Sequence, residues 1–180
     1  MKKLAVLLCT ALLASSLCVA CGGSGDSSNK NSEAQSEQQQ GGAQEEKVEG
    51  FAYVMNGTEI IPNAKMEPIV AALGEADSFF ESDSCAFQGK DKVYTYGSVV
   101  INTYPENEVD YVYTIELKDD TVSTAEGIYV GSSVEDVKAK YGEPKEDTGV
   151  ALVYEKGTST LNFSYEDGAV TSIVYRANVE

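Results

Sequence analysis

The sequence predicts an α+β fold built as two tandem helix–antiparallel-sheet repeats, with short helices packed on one face of the sheet. Three observations lead there. Residues 128–144, IYVGSSVEDVKAKYGEP, compress a strand end, a capped helix and a hard stop into one stretch, and MEPIVAALGEA at 66–76 echoes it. After each, apolar and polar residues alternate at strand spacing, as in Leu161, Phe163 and Tyr165 against Asn162 and Ser164. The copies also correspond at fixed offsets. Met66, Ile69, Leu73 and Gly74-Glu75 match Val134, Val137, Tyr141 and Gly142-Glu143 at 68, and Val93, Tyr94, Gly97 and Asn102 match Val153, Tyr154, Gly157 and Asn162 at 60.

In chain order, Lys2 and Lys3 precede an apolar run over residues 4–20, the pattern of a secretory signal peptide at 1–20. Residues 21–50 hold almost no large apolar side chain. They cannot bury enough surface to offset their ordering entropy and read as a disordered polar tether with a reach of about 30 Å. The Ser27-x-x-Lys30 spacing inside it matches a Ser–Lys nucleophile pair, but a floppy segment holds no such pair in register.

Repeat 1 spans 51–120 and repeat 2 spans 121–180. Repeat 1 opens with a hairpin at 51–61 turning on Asn56-Gly57, a strong two-residue turn signal. Its helix starts near Glu67, because Pro68 is tolerated only in the first turn. Four strands follow, including an added one at 84–87 and a long one at 110–118. In repeat 2, Ser132 and Glu135 form a capping box, Val134, Val137 and Tyr141 share one face, and Gly142 and Pro144 end the helix. Three strands follow at 150–155, 159–165 and 169–175, divided by Lys156-Gly157 and Glu166-Asp167-Gly168.

Two resemblances rest on these residues. Leu17-Cys18-Val19-Ala20-Cys21-Gly22 after a basic start and an apolar run resembles the lipobox of bacterial lipoproteins. That resemblance implies cleavage before Cys21, lipidation of Cys21 and anchoring on the extracytoplasmic side of the cell membrane. The pattern Gly131-Ser132-Ser133-x-x-Asp136-Val137-x-x-x-Tyr141-Gly142-x-Pro144, followed by strands, resembles the repeat unit of beta-lactamase inhibitory protein. It is also similar to small outer-membrane-assembly lipoproteins of the SmpA/OmlA type. Those families imply a helix–Gly-x-Pro corner on an antiparallel sheet and work by protein–protein contact rather than catalysis.

With Cys9 and Cys18 lost in the signal and Cys21 acylated, Cys85 remains alone and no internal disulfide can form. Its setting reads as a strand and its side chain as a small buried hydrophobe. The chain carries a net charge of −16; loss of the signal leaves 11 basic against 29 acidic residues, a net charge of −18. Such a surface repels phosphate backbones, which argues against nucleic acid and is compatible with a basic partner or divalent cations.

The sequence contains no histidine, which removes imidazole acid–base catalysis, His-activated nucleophiles and the commonest zinc ligand. Gly89-Lys90 lacks the rest of a phosphate loop, and Glu106-Asn107-Glu108-x-Asp110 and Asp119-Asp120 lack the order of a calcium loop. No cofactor is expected. Eleven tyrosines and no tryptophan suggest adaptable polar recognition. If Ile101 and Thr103 face the helices, then Asn102 and Tyr104 point away from them, with Thr114, Glu116, Asn162 and Ser164. These six residues are the expected binding face, with tyrosine as its anchor and a protein or envelope polymer as partner. Two alternatives stay open: an envelope enzyme using only carboxylates, and an inhibitory or structural lipoprotein.

Overall fold

The computed structural model describes residues 48–179; the signal at 1–20, Cys21 and the tether up to residue 47 lie outside the described residues. In the described chain, β1 (Tyr53–Met55) and β2 (Thr58–Ile60) form a hairpin, followed by α1 (Met66–Leu73). Four strands come next: β3 (Ser78–Asp83), β4 (Lys90–Tyr96), β5 (Val99–Glu106) and β6 (Val109–Leu117). Then come α2 (Val134–Tyr141), β7 (Glu146–Asp147), β8 (Ala151–Lys156), β9 (Ser159–Glu166) and β10 (Ala169–Ala177). The result is a mixed α+β fold dominated by one antiparallel sheet of eight strands in the order β3-β4-β5-β6-β10-β9-β8-β7.

Alternation along the strands sorts the sheet into two faces. Tyr94, Ile101, Ile115, Tyr175, Leu161 and Tyr154 stand opposite one another in a single row across β4, β5, β6, β10, β9 and β8. Of these, Ile101, Ile115 and Leu161 are wholly shielded from solvent. Each such side chain contributes about 1.5–3 kcal/mol by leaving water. Met66 and Ile69 of α1, Val137 of α2, and Tyr53 and Ile60 of the hairpin join the same core, so both helices and the hairpin lie on this face.

The helix ends follow from chemistry. Ser133, not Ser132, caps α2: its Oγ accepts the Asp136 N–H at 3.0 Å and donates to the Asp136 carboxylate at 2.7 Å. Ser132 is instead used one turn earlier, where its hydroxyl accepts the Tyr129 N–H. The sequence offers two adjacent serines, and the chain uses each for a different orphan donor. Gly142 ends α2 at φ 79°, a conformation that costs a side-chain-bearing residue and not glycine. In α1, Pro68 sits in the first turn as its missing N–H requires, and Lys65 stands at the cap without a side-chain hydrogen bond.

Three expectations are corrected. Residues 84–87 are not a strand. The Ser84 hydroxyl accepts the N–H groups of Ala86 and Phe87, folding them into the turn between β3 and β4, and the first-half edge strand is β3. Cys85, expected in the core, is exposed in that turn. The second half has four strands rather than three, because a two-residue β7 pairs with β8.

The tether boundary also moves. Gly50 is buried, the Glu49 carbonyl accepts the Thr158 N–H, and the Phe51 N–H donates to Ser159 Oγ. A Cβ at Gly157 would lie 2.1 Å from the Glu49 carbonyl oxygen, so glycine there lets the incoming chain seat against the β8–β9 turn.

Candidate recognition surface

The face opposite the helices is covered by no helix among the described residues. Two cross-strand rows organise its centre. One runs Phe80, Val93, Asn102, Thr114, Arg176, Thr160, Glu155; the next runs Ser78, Thr95, Val100, Glu116, Val174, Asn162, Val153, Glu146. Valines 93, 100, 153 and 174 are half-buried, as are Asn102, Glu116 and Asn162. This is a mixed surface, apolar at its floor and polar between.

All six expected side chains point to this face by strand alternation. Asn102 donates to Thr114 Oγ1 at 2.8 Å across the β5–β6 pair. Asn162 donates to Thr160 Oγ1 at 3.2 Å along its own strand and to the Val174 carbonyl at 3.4 Å. Among the described residues no donor engages either amide's carbonyl oxygen, which leaves both able to accept from a ligand. Glu116 is paired with Lys118 at 2.9 Å. Ser164 stands beside Ser172 and Ala151 in the next row.

Tyr104 departs from the expectation. It points to the expected face by strand alternation but is only 5% exposed, so it cannot anchor a partner. A bulge at Tyr113 lets β6 crowd it: Tyr111 stacks on Tyr104 at 5.7 Å and Tyr113 meets it edge-on at 6.0 Å. Phe87 from the β3–β4 turn lies 5.1 Å away, and the hydroxyl donates to Asn63 Oδ1 at 3.0 Å. Burial pushes its phenol above the usual tyrosine range, with the charge of Glu106 adding to the shift. The cluster closes one end of the face. Thr114 is also largely buried and serves as acceptor for Asn102.

Arg176 is the residue that sequence reasoning missed. It is exposed on the same row as Asn102 and Thr114, and its guanidinium lies 5.9 Å from the Tyr113 ring centre. Two signals were available: it is the chain's only arginine, and it falls two residues after Val174 on the polar parity of β10.

The acidic clusters are spent within the fold. Asp110 pairs with Lys92 at 2.5 Å, Asp119 accepts from Ser98 and from the Thr121 N–H, and Asn107 and Glu108 make the β5–β6 turn with positive φ. Among the described residues no three Cys, Asp or Glu side chains converge as metal ligands do. No protein-family model, curated protein or solved structure matches the chain.

Proposed function

We propose that the protein is a lipid-anchored extracytoplasmic binding module, non-catalytic, that meets a protein or envelope polymer with the open face of its sheet. The observation that carries this reading is the uncovered face itself: half-buried valines between amide and guanidinium groups set in two straight rows. Rigid strands hold those groups at fixed spacing, so little side-chain freedom is lost on binding. Cys21 supplies the lipid and the tether carries the domain away from the membrane. The net charge of −16 favours a basic partner. The carboxylate-enzyme alternative needs two free facing acids, whereas of the acids in these rows Glu116 and Glu155 are tied to Lys118 and Lys145, which leaves Glu146 alone.

We further propose that the domain is two copies of one helix-plus-strands unit. The helices are offset by 68 residues, β4–β6 and β8–β10 by about 60, and Ile115 pairs directly with Tyr175, its counterpart at 60. About that pair, the row Val93-Asn102-Thr114-Arg176-Thr160 maps in reverse onto Val153-Asn162-Val174-Glu116-Val100. In this arrangement Asn102 and Asn162 present the same amide twice.

The test is recovery of partners from detergent-solubilised membranes of the producing cell. Wild-type protein should retain a partner that the Asn102→Ala/Asn162→Ala/Arg176→Glu variant loses. Equal recovery would reject the face. Cys21→Ser should release the protein into the medium, and continued membrane retention would reject the anchor.

A further inference from the structure

The two edges of the sheet are built differently. β7 is two acidic residues long and turns away at Thr148-Gly149, which leaves little to pair with. β3 is six residues, Ser-Phe-Phe-Glu-Ser-Asp, every one exposed and without proline. Phe79 is 52% exposed and Phe80 62%, among the most exposed large apolar side chains in the described chain. An edge of that length with two bare aromatics is a template for another strand.

The phase of its free hydrogen bonds can be assigned. The Ser84 N–H donates to the Gly89 carbonyl at 3.0 Å, in register with the β3–β4 pairs. Bonded and outward-pointing residues alternate in an antiparallel ladder. Ser78, Phe80 and Ser82 therefore turn their backbone groups to β4, while Phe79, Glu81 and Asp83 turn theirs outward. By the same alternation Phe79 lies on the helix face, 5.0 Å from Tyr94, and Phe80 on the open face.

Charge decides what fits. The two lysines behind this edge are engaged, Lys90 with Glu81 and Lys92 with Asp110. Among the described residues Asp83 and Asp91 form no ion pair. A second copy of the chain pairing across a two-fold must keep each face continuous, which centres the contact on Phe80 or on Glu81. The first register sets Asp77 against Asp83 at both ends, and the second sets Glu81 against itself. Like charges directly opposite one another disfavour both. We infer that the β3 edge accepts an extended basic segment of a partner protein, pairing antiparallel with Phe79, Glu81 and Asp83, its apolar side chains on the two phenylalanines and its lysines or arginines beside Asp77 and Asp83. The contact is made by the backbone edge of β3, and although Phe80 stands at the far end of one open-face row, the inference does not rest on the amide and guanidinium groups of that face.

A defined probe tests it: the acetylated peptide Lys-Val-Lys-Phe-Val-Lys-Val-Lys, with binding followed by fluorescence anisotropy at physiological salt. The wild-type protein should bind it and show slowed amide exchange at Phe79, Glu81 and Asp83. Glu81→Pro removes one outward N–H without touching the β4 ladder and should weaken binding at least about tenfold. Glu81→Gln, the charge control, should stay within about threefold, since it keeps the backbone donor. Phe80→Ser leaves the backbone intact and should also weaken binding about tenfold, so the inference stays testable should the proline variant not fold. Arg176→Glu, on the open face, should leave peptide binding unchanged, which separates this inference from the proposed function. Equal affinity of wild type and Glu81→Pro, or equal binding of a peptide of the same charge with proline at its centre, would reduce the contact to electrostatic adhesion and overturn it. A wild-type dimer in sedimentation that Glu81→Pro dissociates would overturn it too, by making a second copy the occupant.

Discussion

The two halves of the sheet carry the same helix length and unequal means of holding it. Second-half α2 has a serine cap, Glu135 and Asp136 in its first turn and Lys138 and Lys140 in its last, all aligned with the helix dipole. First-half α1 has a lysine at its cap, one first-turn acid and no basic residue in its last turn. The same contrast holds beneath the helices. Tyr141, Tyr154 and Phe163 form a closed aromatic triangle in the second half, with centroids 5.2–5.9 Å apart, whereas Tyr94 in the first half meets half-exposed Phe79. The second half concentrates devices that stabilise the fold. The first keeps an exposed edge and a bare aromatic pair.

The largest break in this contrast comes from the triangle. Phe163→Ala removes a side chain with no solvent exposure and should cost about 3–5 kcal/mol in urea unfolding. Tyr94→Ala, half-buried at the other end of the central row, should cost distinctly less. Equal losses would mean that the halves are packed to the same standard.

Between the halves stands Tyr175, 1% exposed, whose hydroxyl has no hydrogen-bond partner among the described residues. Burial pushes its phenol far above the ordinary tyrosine range, and the nearby Tyr141 and Glu126 reinforce this. A buried polar atom left unpaired costs about 1–3 kcal/mol. Tyr175→Phe should therefore raise stability by about 1 kcal/mol. A loss of stability instead would place a bound water on that hydroxyl.

The caps allow a smaller and reciprocal test. Ser133→Ala should destabilise by about 1 kcal/mol. Lys65→Asp should stabilise by about 0.5–1 kcal/mol, because Lys65 already has the extended backbone of a cap residue, φ −64° and ψ 135°. If both changes are silent in thermal melts, the helices are held by packing alone and their ends do not matter.

Much of this architecture could be read in the sequence because local chemistry writes it. Helix ends are punctuated by Gly74, Gly142 and Pro144, and strand faces by alternation in 159–165. The errors arose where tertiary context chose between equal local options. Two adjacent serines could each have capped α2. SCAF at 84–87 reads as a strand, yet Ser84 bonds it into a turn. Of the expected binding face, parity placed Asn102, Tyr104, Thr114, Glu116, Asn162 and Ser164 on the side away from the helices. Parity says nothing of burial, however, and Tyr104 lies under Phe87 and two tyrosines that a one-residue bulge in β6 brings round it. Arg176 went unnoticed because its role depends on β10 pairing with β6, a contact made by strands 52 residues apart in the chain.

The smallest effect is also the most specific to one half. Asp147 on β7 gathers three partners: the Lys138 ammonium at 3.0 Å, the Tyr165 hydroxyl at 2.8 Å and the Gly149 N–H. In that order of influence Lys138, Gly149 and Tyr165 hold its carboxyl below the usual aspartate range. A lowered folded-state value stabilises the fold above the ordinary carboxylate range, and the contribution disappears as pH falls through the depressed value. The hydrogen bond to Asp147 in turn raises the values of Lys138 and Tyr165 above their ordinary ranges. Raised values give a contribution that is complete below those ranges and lost as pH climbs through the raised ones. One carboxylate therefore feeds both limbs of the stability profile, and all three groups are exposed enough that salt will mute it. Melting temperatures of wild type and Asp147→Asn should differ most near neutral pH and converge at both extremes. The residue 68 positions earlier is Phe79, which cannot titrate, so a Phe79→Ser variant should shift the whole curve without changing its shape. A constant gap between wild type and Asp147→Asn from acid to alkali would show that Asp147 acts through packing and not through its charge.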